Sequence, residues 1–115
     1  MIQEGQVVLF KFPHTDQTEG KLRPALAIRK VTGPHEDWLI CMISSQLSQG
    51  IEGFDEFLSE EDGDLRQSGL KQASVIRIGR LAVVQKAILL GAIGEINPER
   101  LGRIKQKLAK WLLGG

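Results

Sequence analysis

The stretch from Trp38 to Ser44, WLICMIS, constrains the fold more than any other: it is apolar without alternation until its final serine. A strand with one face in water alternates polar and apolar residues, whereas a strand without alternation has to be covered on both faces. Seven residues also suit a strand better than a helix. The chain therefore needs a sheet in which this segment is central.

The neighbouring segments supply the rest of the sheet. Residues 6–12, QVVLFKF, are β-branched and aromatic and read as a strand ended by Pro13. Residues 13–22, PHTDQTEGKL, are polar and read as a loop. Pro24 then opens a second strand, ALAIR, because a proline at a strand's first residue gives up no ladder donor. Residues 50–57, GIEGFDEF, set aromatics among acids and predict a weak, partly exposed strand; 59–64 predicts an acidic loop or one helical turn. Val75, Arg77 and Gly79 alternate with Ile76, Ile78 and Arg80 in the period of a half-buried strand. One more short strand is expected near 91–96.

The C-terminal segment predicts a helix. Asn97 is an N-cap, Pro98 occupies the first helical position and Glu99 favours the positive end of the helix. Leu101, Ile104, Leu108, Trp111 and Leu112 form one apolar stripe, with Arg103, Lys107 and Lys110 away from it. Strands first and a helix last make an α+β protein, a small curved antiparallel sheet or barrel with the helix packed on it, in one domain over residues 1–115.

Charge divides the chain. Residues 31–65 hold nine acids and no Lys or Arg, while residues 66–115 hold ten bases against two acids. Two readings stay open: a polyanion or acidic partner for the basic half, or two charged faces that attract one another within the fold. No apolar run approaches a membrane span, and MIQEGQ has no basic segment followed by an apolar one, so no membrane contact and no secretory leader are expected. The lone Cys41, inside an apolar run, predicts a buried thiol in a reducing, cytoplasmic compartment.

His14, His35 and Cys41 offer no zinc spacing, and the phosphate-cradling, dinucleotide and nucleophile-elbow motifs are missing. Any chemistry here is expected to need no metal and no organic cofactor, and to use Arg, Lys, Ser, Thr or His. The dipeptide Arg23-Pro24 is the first candidate. Proline restricts the residue before it to extended conformations, so the Arg23 backbone is preorganised, and a guanidinium matches phosphate oxygens with a rigid fork. The plain alternative is a surface arginine paired with a nearby acid.

Three segments together resemble the MazF/PemK (Kid) family of toxin endoribonucleases: GQVVLFKFPHTDQTEGKLRPALAI, ICMISSQL, and SGLKQASVIRIGRLAVVQKAILLGAIGEINPERLGRIKQKLAKWLL. They occur in the family's order and span nearly the whole chain. The resemblance implies an SH3-like barrel with a C-terminal helix, a homodimer, and metal-independent cleavage of single-stranded mRNA by 2′-OH attack, leaving a 2′,3′-cyclic phosphate. It implies that Arg23 faces the scissile phosphate and that Ser44 stands at the catalytic hydroxyl position, usually a threonine. His14, Thr15, Lys21, Ser45, Gln46 and Arg77 would bind RNA, with support of the sheet an equally open role for Arg77. The implied partner is an antitoxin with an acidic, disordered segment. The chain departs from Kid-type members at Gln72 and Ser74, where an arginine and an aspartate are expected. That departure keeps a second class open, a barrel-shaped module that binds a protein or RNA partner, as CcdB-type poisons do, and catalyses nothing.

Overall fold

The computed structural model describes residues 1–11 and 22–115. Among these, six strands form one antiparallel sheet: β1 (Gln6–Lys11), β2 (Leu22–Lys30), β3 (Asp37–Ser44), β4 (Glu56–Leu58), β5 (Ser74–Gln85) and β6 (Leu89–Glu95). Their order is β4-β5-β3-β2-β1-β6. Two α-helices are present, α1 (Gly63–Ser68) and α2 (Pro98–Leu112).

The unalternating run is β3, and it lies between β5 and β2 as its composition requires. Trp38 and Ile40 pack on one face with Val8, Phe10, Ala25, Ala27 and Leu89. Those partners all come from strands, so this face is covered by the sheet's own curl. Cys41 and Ile43 pack on the other face with Val7, Leu26, Ile28, Ile76 and Ile78, and there Ile104 and Leu108 of α2 close the core. Burial pushes the Cys41 thiol well above its ordinary pKa, with the Asp55 charge adding to the effect.

The architecture is the expected curved α+β sheet, left open rather than closed by hydrogen bonds, with β4 and β6 as its edges. Helix α1 follows β4 and ends against β6. Its C-cap, Gly69, adopts φ +79°, and a Cβ there would lie 2.3 Å from the Ile93 carbonyl oxygen, so only glycine allows this approach.

Asn97 caps α2 as predicted, its side chain accepting from the Arg100 N–H at 2.7 Å, with proline at the first position. The apolar stripe is only partly used. Ile104 and Leu108 are buried, but Trp111 and Leu112 are exposed, Trp111 meeting the Phe54 ring at a tilt.

Several boundaries differ from expectation. Pro24 is the third residue of β2, opposite Leu9, not its first. The ladder from β2 to β3 begins at Ala25, so the missing donor lies where β2 has no β3 partner. Of the segment 50–57 only Glu56 and Phe57 are strand, which Leu58 continues, preceded by turns, and Glu56 is buried rather than solvated. The acidic segment leads into α1, a helix of six residues.

Candidate functional site

Antiparallel pairing brings the start of β2 and the end of β3 to the same end of the sheet. Ala25, Met42 and Arg77 stand in one row across β2, β3 and β5. Arg23 and Ser44 each lie two residues further in the same direction, beyond that row. Residues two apart on a strand share a face. Arg23 therefore shares its face with Ala25, and Ser44 with Met42. Arg77, flanked by the core residues Ile76 and Ile78, projects to that same face. The sheet thus gathers Arg23, Ser44 and Arg77 on the face opposite α2. Ser44 and Arg77 are diagonal neighbours on adjacent strands, a relation that spans about 7–8 Å and is within reach of a long side chain.

The chemistry at Ser44 is directional. Its Oγ accepts the Gln46 N–H at 3.0 Å, which occupies the oxygen and leaves the hydroxyl proton to be donated. Gln46 is held in turn by Gln49, whose Nε2 donates to Gln46 Oε1 at 2.9 Å. The turn carrying Ser45 and Gln46 is backed by Gly50. A Cβ at that residue would come within 2.4 Å of the Phe57 ring and 2.7 Å of Val75, so the loop rests directly on the sheet.

Arg23 is exposed and forms no ion pair among the described residues, so the plain expectation of a paired surface arginine is not met there. Arg77 is half-buried, and its Nε is buried without a hydrogen-bond acceptor among those residues. His14, Thr15 and Lys21 lie outside the described residues. Ser74 offers no base in place of the expected aspartate. It is buried, and its hydroxyl donates to the Gln72 carbonyl at 2.9 Å.

The divided charge finds its partner within the fold. Arg100 is buried on α2 and reaches Asp64 through Nε at 2.8 Å and Nη2 at 3.2 Å, Glu56 through Nη1 at 3.0 Å, and the Phe57 carbonyl at 3.2 Å. Arg103 and Lys107 also donate to Glu56, at 3.0 and 2.7 Å, and Asp62 stands 3.5 Å from Arg100. Three cations of the basic half are thus matched by three carboxylates of the acidic half, in line with the second of the two open readings, attraction between the halves within the fold. Burial alone would raise the Asp64 carboxyl, but hydrogen bonds from Arg100 and the Asn97 N–H outweigh it and hold the carboxyl below its ordinary range. Glu56 is likewise lowered, its burial outweighed by Arg103 and Lys107. The segregation of charge was the signal for this pairing, but it named neither the residues nor their burial, which become legible only once α2 is docked.

A cleft lined by His35, Glu36, Asp37, Gln85, Lys86 and Ala87 lies at the opposite end of β3 from Ser44. No group of His, Cys, Asp or Glu arranged to hold a metal ion occurs among the described residues. No helix there is long and apolar enough to cross a membrane.

Among the described residues the fold is a curved antiparallel sheet packed against a C-terminal helix, with Arg23 and Arg77 free of ion pairs on the face that carries Ser44. A family model described as PemK-like, MazF-like toxin of type II toxin-antitoxin system matches residues 3–112. The chain belongs to that family, and membership implies an antitoxin partner. Comparison with curated proteins returned no matching relative.

Proposed function

We propose that this chain is a metal-independent endoribonuclease toxin that cleaves single-stranded mRNA in the cytoplasm as a homodimer, restrained by an antitoxin with an acidic, disordered segment. The observation that carries the proposal is the placement of Arg23 and Ser44 at one end of neighbouring strands on one face, with Arg23 free of any described carboxylate. When the 2′-oxygen attacks phosphorus and the P–O5′ bond breaks, charge builds on the non-bridging oxygens. A fixed guanidinium and a hydroxyl with a proton to donate stabilise that charge where it develops. Ser45, Gln46 and Arg77 line the same end and contact the RNA strand. His14, Thr15 and Lys21 enter on the family resemblance alone, as contacts made by the 13–22 loop.

The lack of a carboxylate at Gln72 and Ser74 favours a second reading, a module of the same fold that binds its target without cleaving it. One experiment separates the two. Purified protein and its Arg23→Ala variant are incubated with long single-stranded RNA in EDTA. Discrete fragments ending in 2′,3′-cyclic phosphate, from the wild type only, are expected. Intact RNA in both samples, with folding verified, would establish the non-catalytic reading.

A further inference from the structure

Asp55 stands one residue before the edge strand β4 and is only 5% exposed. Both its oxygens are spent on backbone: Oδ2 accepts the Ile51 N–H and Oδ1 the Ile78 N–H, each at 2.9 Å. Ile78 is a singular position. Met42 opposes Arg77 and Cys41 opposes Leu81, so Ile78, Gly79 and Arg80 have no counterpart on β3. On the other side, the pairing of β4 with β5 stops at Glu56 and Ile76. The Asp55 carboxylate therefore acts as acceptor where the ladder to β4 has ended and the ladder to β3 is interrupted. Bulges of this kind bend a strand and re-aim its side chains.

Arg77 is the last residue of β5 before the bulge. It is half-buried, has no ion pair among the described residues, and keeps its buried Nε without an acceptor. A partly desolvated guanidinium without a counter-ion is unfavourable and is a receptor for an anion. We infer that Asp55 is a positioning residue whose carboxylate fixes the Ile78–Arg80 bulge and thereby holds Arg77 ready for a phosphate of single-stranded RNA. The ligand class rests on the function proposed above; the mechanical link from Asp55 to Arg77 is the new element.

The two explanations of Asp55 differ in sign. Removing an acid makes the protein more positive, and by charge alone RNA should bind more tightly. Positioning requires the reverse. The probe is a short single-stranded RNA with 2′-O-methyl sugars, which cannot undergo 2′-OH attack. Its affinity is read by fluorescence anisotropy over a salt series and referred to the folded fraction. Arg77→Ala is expected to weaken binding roughly tenfold and to flatten the salt slope by about 0.7, the loss of one phosphate contact. Asp55→Asn is expected to weaken binding in the same direction despite the gained charge, and to add nothing further in the Arg77→Ala background. Should the Asn variant fail to fold, Asp55→Glu keeps the charge, displaces the carboxylate by one methylene, and is expected to lose affinity too. Wild-type or tighter binding by a folded Asp55 variant, beside a weakened Arg77→Ala, overturns the positioning role and leaves the RNA reading intact. Unchanged binding by Arg77→Ala, with the wild type binding the probe, overturns the Arg77 contact and the positioning role with it; a wild type that does not bind the probe overturns the RNA reading.

Discussion

The Arg100 guanidinium grips the Asp64 carboxylate side-on, Nε to Oδ2 at 2.8 Å and Nη2 to Oδ1 at 3.2 Å, with both groups out of water. Removing one partner leaves an uncompensated buried charge, which costs about 3–5 kcal/mol, whereas replacing both with apolar groups is far milder. Arg100→Met is therefore expected to lower the unfolding free energy in urea by that order. The double variant Arg100→Met/Asp64→Leu should recover part of the loss. A double variant as unstable as the sum of its singles would show that the two side chains act independently.

Acid should attack the same joint. Asp64 and Glu56 are held below their ordinary values in the fold, so the unfolded chain takes up their protons first, at its ordinary pKa of about 4. Their stabilising contribution is complete above about pH 5 and is lost as pH falls through 4 and below the folded-state values. In denaturation series across this range, Glu56→Gln should start less stable at neutral pH and show a flatter acid limb than the wild type. Parallel acid limbs would mean that Glu56 does not titrate with folding.

At the candidate site, Ser44→Ala deletes the hydroxyl proton that the contact from Gln46 leaves free, whereas Ser44→Thr keeps it. RNA cleavage by the alanine variant is expected to fall by about a hundredfold, on the scale of a lost oxyanion donor, with the threonine variant retained near wild type. Equal loss in both would point to packing around the side chain rather than to hydrogen-bond donation.

Gly50→Ala tests the seat of the loop. The new methyl would sit 2.4 Å from the Phe57 ring, and an overpacked contact of this kind costs about 1–3 kcal/mol. The turn bearing Ser45 and Gln46 has to lift, so cleavage is expected to fall further than the drop in melting temperature alone explains. A variant that loses stability but cleaves normally when folded would separate Gly50 from the site.

Periodicity and capping made β1, β3, β5 and α2 legible, because each carries its own signal: unbroken apolar residues, strict alternation, or Asn97-Pro98. The edge strand β4 was not legible in its true form. Glu56 looks like a surface acid until Arg100, Arg103 and Lys107 arrive from more than forty residues away, and no local pattern encodes that meeting. Trp111 and Leu112 illustrate the converse, a helical stripe that is correct in period and exposed at its C-terminal end. Arg23 was conspicuous through the proline after it. Asp55 was hidden, since a carboxylate in a turn announces nothing about the distant bulge it holds.

The strand order also bears on how the molecule is made. β1 is the first strand to leave the ribosome, yet one of its two neighbours is β6, the last, and the helix that seals the core beneath β3 comes later still. Until those segments emerge, Val7, Leu26, Cys41 and Ile76 have no cover from α2, and the acids at 56 and 64 have no cations. Contacts so distant in sequence form slowly. The contacts that complete the fold, β1 with β6 and the core with α2, can therefore form only when translation of the domain is nearly finished.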